Sequence, residues 1–335
     1  MRIRSTFVTL FALWAVTAPR AGHGQDRVER DLAGLAAENA RLYVEPLARG
    51  LALAMGAGAF DGAASLPTLG FEIGAKVTGA LLPVEAESFD ALAPETVTWT
   101  GPFGGTFEDP YRPVGGSFST PTVAGEGAGV TLEPDGEFRD AIVASGLDPS
   151  DFSLAFPDGE DVPLVPHPVL YAGLGIGLGT EVSVRYTPRL QIDDEIGELK
   201  GLGFAVRHTL TRWFSSPVDI AVQAATQEIE LGDYADARST EYGLLASRRM
   251  GPLSIFAAGV IRRAEVDVEY VTENSGDANP GLPPDGTRIS FSEDLESGTA
   301  FGLGARLQLL VLNVAGEYTW DEYPLVTVKV GFGSP

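Results

Sequence analysis

The fold is decided by nine residues near the end of the chain, Leu325-Val326-Thr327-Val328-Lys329-Val330-Gly331-Phe332-Gly333. Large apolar side chains take every second position, so that Val326, Val328, Val330 and Phe332 share one face of an extended strand. Thr327 and Lys329 fall on the opposite face. A period of two therefore predicts a β-strand with one apolar and one polar face.

The same period recurs along the chain in segments of about ten residues, which is the length that a tilted strand needs to cross a bilayer. The clearest apolar faces are Phe71, Ile73, Ala75 and Val77; Val182, Val184 and Tyr186; Leu202, Phe204 and Val206; and Phe301, Leu303, Ala305, Leu307 and Leu309. We also interpret Leu51, Leu53 and Met55 as a first strand, and we place Val266 and Val268 opposite Glu265 and Asp267.

Over the whole chain, about eleven segments show this alternation. A bacterial single-chain barrel needs an even number of strands, so one more strand is expected near Thr96–Trp99. The predicted fold is an all-β, antiparallel transmembrane β-barrel of about 12 strands, with a range of 10 to 14, and one N-terminal helix. Closure of the sheet suits a membrane, because no unpaired sheet edge is tolerated in hydrocarbon.

Four regions are expected along the chain. Residues 1–24 combine Arg2 and Arg4 with a short apolar run, which predicts a cleaved secretory signal. Residues 25–46 have helical spacing and end at Pro46, which predicts a plug for the barrel or a periplasmic cap. The barrel is expected over 47–333, interrupted by a long Pro- and Gly-rich insertion at about 85–167.

Charged side chains on the polar faces of the strands are expected to line the lumen, because a barrel of this size has an interior that is wet or plugged. The lumen-facing candidates are Glu72, Lys76, Arg185, Arg207, Arg306 and Glu317. The same alternation would also fit a soluble sheet with its apolar face buried, so the period alone does not identify a membrane protein.

Composition excludes several classes of function. The chain carries 23 Lys and Arg against 46 Asp and Glu, and this net charge of −23 disfavours nucleic-acid binding. Without cysteine it has no lipoprotein anchor and no thiolate metal site. Neither His167 nor His208 accompanies a nucleophile motif, and the acidic stretches 193–198 and 277–285 lack the spacing of a calcium loop. We therefore predict no enzyme activity, no cofactor and no metal site.

The plan resembles bacterial outer-membrane barrels similar to the long-chain fatty-acid transporter. The resemblance covers about 39–332 and includes Tyr43-Val44-Glu45-Pro46, Arg185-Tyr186-Thr187-Pro188 and residues 203–208. The closing strand also resembles the terminal strand that the barrel assembly machinery recognises, with Phe332 as its aromatic residue, although Gly-Ser-Pro follows. The resemblance implies that an N-terminal segment plugs the lumen and that small hydrophobic compounds pass through it.

We therefore expect an outer-membrane channel or transporter for small solutes, a class that includes hydrophobic ones. Its partners would be outer-membrane lipid, the barrel assembly machinery and a small hydrophobic ligand. Two alternatives stay open at this point. One is a structural or adhesive barrel that presents surface loops, and the other is a soluble periplasmic β-protein.

Overall fold

A computed structural model describes residues 28–99, 102–193, 197–213, 215–232, 235–271 and 288–333. The predicted signal at 1–24 and the acidic stretch 277–285 lie outside these residues. The chain divides into two compact units. We call residues 47–83, 163–268 and 292–335 the barrel unit, and residues 1–46, 84–162 and 269–291 the insertion unit.

The barrel is one closed sheet of ten antiparallel strands, in which the first strand pairs with both the second and the last. All other neighbours in the sheet are consecutive in the chain. The strands are β1 (Phe71–Leu81), β2 (Leu164–Gly177), β3 (Thr180–Asp193), β4 (Gly197–Thr209), β5 (Asp219–Leu231), β6 (Ala235–Met250), β7 (Leu253–Val271), β8 (Arg288–Leu309), β9 (Leu312–Trp320) and β10 (Leu325–Gly333).

Ten strands fall within the predicted range, and two of the twelve expected strands are not part of the barrel. Residues 51–55 belong to the first helix, α1 (Val28–Gly56), which continues through Pro46 instead of ending there. Thr96–Trp99 does form a strand, but it pairs with Gly105–Glu108 in a separate two-stranded sheet of the insertion unit.

The error at 51–55 has a physical cause. Residues 51–56 alternate between large and small apolar side chains, and the alternation was interpreted as a strand. Leucine, alanine and methionine are also strong helix formers. Because Leu53, Ala54 and Met55 are all buried, no polar face reveals the true period.

The start of β2 also differs from the prediction, because the strand begins at Leu164 and includes Pro166, His167 and Pro168. These residues pair with β1, whereas pairing with β3 begins only at Leu170. A proline is tolerated there because the strand has a partner on one side alone.

The exterior of the barrel is apolar over most of its height. Large side chains more than a third exposed occur on every strand, including Ile73, Val184, Leu244, Leu303 and Val328. At one level across β5, β6 and β7, Thr226, Thr240 and Arg263 lie side by side.

Beyond that row the exposed positions carry charge. On β7 the polar side chains there face outward and the apolar side chains face inward. Glu265 and Asp267 are exposed, while Val266 and Val268 are buried. The outward face of β7 is therefore apolar in one part and charged in the other.

The insertion unit contains short strands and its own core. Its sheets pair Ser88–Asp90 with Ser119–Pro121, Thr96–Trp99 with Gly105–Glu108, and Tyr111–Pro113 with Thr131–Pro134 and Leu154–Ala155. Helix α2 (Gly136–Ala144) and 3-10 turns at Val84–Ala86 and Pro149–Phe152 complete it. The core is formed by Val97, Tyr111, Leu132, Phe138, Ile142 and Leu154.

Residues of α1 that belong to the insertion unit bond to its loops. Asn39 Nδ2 donates to the carbonyl of Leu92 at 3.0 Å, and the Leu92 N–H donates back to Asn39 Oδ1 at 2.9 Å. The hydroxyl of Tyr43 donates to the carbonyl of Asp158 at 2.8 Å. None of the helices in the described ranges is both long and apolar enough to cross a membrane.

Candidate functional site

The interior of the barrel is occupied by the chain that connects α1 to β1. We call residues 57–70 the inner segment. Ala57, Phe60 and Ala63 are almost completely buried, and the segment contacts side chains that point inward from strands far apart in the sheet. It is the candidate functional site, because any solute that crosses the barrel would meet it.

The backbone of the inner segment is held by polar side chains of the wall. Lys76 Nζ donates to the carbonyl of Ala57 at 2.5 Å. Arg207 donates to the carbonyl of Gly62. The Ala63 carbonyl accepts from Thr209 Oγ1 at 2.6 Å.

Three wall oxygens in turn accept from segment N–H groups: Ser247 Oγ from Ala63 at 2.9 Å, Thr209 Oγ1 from Ser65 at 3.0 Å, and Glu181 Oε2 from Leu66 at 2.9 Å. A buried backbone group without a partner is costly, so these bonds explain why polar residues line the interior at these positions.

The inner segment also carries a charge, on Asp61. Arg306 contacts Asp61 Oδ1 at 3.1 Å, and Lys329 lies 3.4 Å from Asp61 Oδ2. Burial alone would raise the pKa of Asp61, but the positive charges of Lys329, Arg306 and Arg207 outweigh it and hold the pKa below its usual range. Asp61 is therefore ionised at neutral pH and draws the segment towards the wall.

Glu72 of β1 shares the two cations of Asp61. Its carboxylate lies 2.7 Å from Arg306 and 3.2 Å from Lys329, and it accepts from the Tyr171 hydroxyl at 2.6 Å. The cluster of Asp61, Glu72, Arg306 and Lys329 thus joins β1, β8 and β10 to the inner segment.

A carbonyl near the end of α1, that of Met55, accepts from a buried cation. Arg185 Nη2 donates to the carbonyl of Met55 at 2.6 Å, close to the bond from Lys76 to Ala57. In the described part of the chain neither Lys76 nor Arg185 has a carboxylate within ion-pair distance. Free carbonyls at a helix C-terminus carry partial negative charge, so they take the place of a carboxylate partner.

All six lumen candidates lie on the interior side of their strands. Glu72, Lys76, Arg185 and Arg207 are nearly fully buried, and Arg306 is mostly buried. Glu317 is half-buried, and its Oε1 accepts from Thr319 at 3.3 Å. It borders a cavity beside Ala57 and Phe60 with room for about one water molecule.

Several interior residues were missed. Arg262 contacts Glu241 at 2.8 Å and also pairs with Asp321, and Arg207 pairs with Glu181. Glu181, Glu241 and Arg262 stand at inward positions that the two-residue period could have identified. Asp61 could not have been found this way, because the inner segment has no period.

His167, which no nucleophile motif accompanies in the sequence, is completely buried on β2. Its Nε2 lies 3.1 Å from Thr187 Oγ1 and 3.2 Å from Gln227 Nε2. It belongs to the polar interior of the barrel.

The interior also has an apolar patch, which surrounds the ring of Phe60. The patch consists of Leu245, Val260 and five alanines of the wall, Ala205, Ala221, Ala225, Ala258 and Ala300. The guanidinium carbon of Arg207 lies 4.6 Å from the centre of the Phe60 ring. An aromatic ring on the inner segment thus lies between an apolar wall and a cation.

The four apolar residues of the closing strand lie on the outside of the barrel. Val326, Val328, Val330 and Phe332 are 39 to 54% exposed. Their strand, β10, lies between β9 and β1, where the sheet closes.

Comparison with known proteins gives one family and several distant barrels. A model described as a family of unknown function, DUF6588, matches residues 1–334. No curated protein matches the chain.

Solved structures with some similarity include a loop-deletion mutant of OmpT from Vibrio cholerae, with 10% identity, 79% of this chain and 99% of that chain covered, and a TM-score of 0.26. The Ralstonia pickettii toluene transporter TbuX has 11% identity and a TM-score of 0.29, and the match covers 86% of this chain and 97% of TbuX. The monoaromatic hydrocarbon channel CymD has 8% identity and a TM-score of 0.26, and the match covers 80% of this chain and 88% of CymD.

Proposed function

The chain belongs to the DUF6588 family, whose model matches residues 1–334. We propose that this member of the family is an outer-membrane channel or transporter for small solutes, closed by its inner segment. The observation that carries the proposal is the position of residues 57–70, which are held inside a closed barrel by hydrogen bonds and one buried carboxylate.

The membrane location is supported by the exterior of the barrel. A soluble β-protein would bury its large apolar side chains, whereas Val328 is 52% and Leu303 is 51% exposed. Lipid would cover these side chains. We further propose that residues 1–24 are a cleaved secretory signal, and that the assembly machinery recognises β10 through Val326, Val328, Val330 and Phe332.

A gate is supported by the chemistry of the contacts that hold the inner segment. Apart from the apolar packing around Phe60, they are hydrogen bonds and ion pairs, which water or a polar solute can replace when the segment moves. The wall retains Glu72 as a partner for Arg306 and Lys329 when Asp61 leaves, so the barrel need not lose stability on opening.

The class of solute is suggested by Phe60. When the inner segment moves, the patch of small apolar residues that now contacts the Phe60 ring becomes free, and Arg207 stays beside it. A small apolar or aromatic compound would fit the same surroundings. We therefore propose hydrophobic compounds of about that size as solutes, and no catalytic step.

The test is solute entry into liposomes that contain the refolded protein. Asp61→Asn removes the charge that binds the inner segment to Arg306 and Lys329, and we expect severalfold faster entry of a neutral sugar and of benzyl alcohol than with the wild type. Asp140→Asn, on the exposed face of α2, is the matched control and should behave as the wild type. Equal entry rates for all three proteins would contradict the proposal.

A second function is favoured by the separate core of the insertion unit. A segment of irregular loops would need no core, whereas Leu132, Phe138 and Ile142 pack together as in a folded module. A barrel that presents such a module could serve adhesion. Removal of residues 84–162 would then abolish surface binding and leave the barrel folded.

A further inference from the structure

Three leucines adopt a backbone conformation that leucine rarely uses. Leu69, Leu178 and Leu310 have φ angles of 64°, 52° and 55°, in the left-handed region where glycine or asparagine is normally found. They are 79%, 68% and 87% exposed, so no burial in the protein compensates for the strain. Strained residues of this kind point to a function of the turn that carries them.

All three leucines lie at the same end of the barrel, which we call the short-turn rim: Leu69 and residues 177–179, 210–213, 248–253 and 309–312. Hydrogen bonds join the neighbouring turns, from Leu69 N to Gly175 O, from Thr209 N to Gly179 O and from Gln308 N to Pro252 O, each at 2.8 Å. Trp213 and Met250 are further exposed apolar residues of this rim. The outer apolar surface thus continues into the turns.

The charges of the short-turn rim are positive. Arg212, Arg248 and Arg249 are exposed, and none has a carboxylate within ion-pair distance in the described part of the chain. Asp219, the carboxylate nearest in sequence to Arg212, is half-buried and accepts a long hydrogen bond of 3.5 Å from Thr211.

The opposite end of the same strands has the reverse balance. Glu228, Glu230, Asp236, Glu265 and Asp267 are exposed there. In a chain with a net charge of −23, three exposed arginines that have no ion pair in the described ranges and lie beside exposed leucines form a surface suited to an anionic, partly apolar partner.

We propose that the short-turn rim binds the headgroups of anionic phospholipids. This inference rests on the proposed position of the barrel in a membrane. Arginine forms bidentate bonds with phosphate, while leucine and tryptophan enter the region where headgroups meet acyl chains. A rim with both kinds of residue matches an anionic lipid in charge and in polarity. Periplasmic turns are short in such barrels, so the leaflet concerned is the periplasmic one.

The test uses Trp213 as a reporter in the full chain. Trp14, Trp99 and Trp320 are replaced by phenylalanine, and the protein is reconstituted in phosphatidylcholine vesicles that contain brominated phosphatidylglycerol or brominated phosphatidylcholine. We expect stronger quenching by the brominated phosphatidylglycerol. The preference should fall roughly fivefold for each arginine changed to glutamine and vanish in Arg212→Gln/Arg248→Gln/Arg249→Gln.

The matched control replaces three arginines nearer the opposite end, in Arg189→Gln/Arg238→Gln/Arg263→Gln, and should keep the preference. Equal quenching by both lipids in the unsubstituted rim, no quenching by either, or a preference that survives loss of the three rim arginines would each overturn the proposal. Solute entry through Asp61→Asn in phosphatidylcholine alone tests the channel separately, so failure of one proposal is distinguishable from failure of the other.

Discussion

At the scale of single residues, the interior depends on side chains that satisfy the backbone of the inner segment and of the end of α1. Lys76 and Arg185 are buried, have no carboxylate partner among the residues that the structure describes, and donate instead to the carbonyls of Ala57 and Met55. A buried cation without any partner would be strongly unfavourable. These two residues and the end of the helix therefore require one another.

Gly56 is the residue at which this fit is tightest. A Cβ atom there would lie 2.3 Å from Arg262 Nε and 3.0 Å from Ser239 Oγ. Arg262 has little freedom to move, because Glu241 and Asp321 hold its guanidinium group. The absence of a side chain at Gly56 is what lets the helix end pass this ion cluster.

We predict that Gly56→Ala lowers the free energy of unfolding by about 1–3 kcal/mol, the usual cost of excess volume in a packed site. Urea titration of the refolded protein measures it. The matched control is Gly259→Ala, where a Cβ would meet no atom within 4 Å. Helix propensity alone predicts the opposite, a gain of about 1 kcal/mol for alanine, so a stabilised Gly56→Ala would contradict the packing we describe.

At the scale of elements, each barrel strand presents different chemistry to its two sides, and the outer side changes character along its length. In β5 the outward residues run from Ile220 and Val222 to Glu228 and Glu230, with Thr226 between them. With the barrel in a membrane, as we propose, such a change would mark the level at which the surroundings become aqueous. The depth of a position relative to the row of Thr226, Thr240 and Arg263 should therefore decide the effect of a charge there.

We predict that Val328→Arg destabilises the protein in lipid vesicles by about 2–4 kcal/mol, while Thr240→Arg changes its stability by about 1 kcal/mol or less, because the penalty for an outward charge falls from the middle of the bilayer to its surface. Unfolding of the two variants from the same vesicles measures this. Equal effects at the two positions would argue against a membrane around the barrel.

The elements differ in how well the sequence predicts them. Strands such as β1 and β10, with one apolar and one polar face, are predicted from their period, and so are the inward positions of Glu72 and Arg306. The end of α1 is not, because every position over 51–56 is apolar or small. The closure of the sheet and the course of the inner segment depend on contacts between distant residues, such as Asp61 and Arg306, which no local pattern carries.

At the scale of the whole molecule, the central claim is that the inner segment closes the barrel and must move for solutes to cross. The chain has no cysteine, so no native thiol competes with an introduced disulfide. A Cβ at Gly62 would lie 3.7 Å from the Cβ of Ser247, which is close to the usual separation of about 3.8 Å in a disulfide. Gly62→Cys with Ser247→Cys would thus tie the segment to β6.

The most direct test is the single-channel current of Gly62→Cys/Ser247→Cys in the Asp61→Asn background, recorded before and after addition of a reductant, with each single cysteine variant as a control. We predict that the oxidised protein is silent, that it conducts once the disulfide is reduced, and that both controls conduct throughout. The same current in the oxidised and reduced states would contradict the claim that the inner segment is the gate.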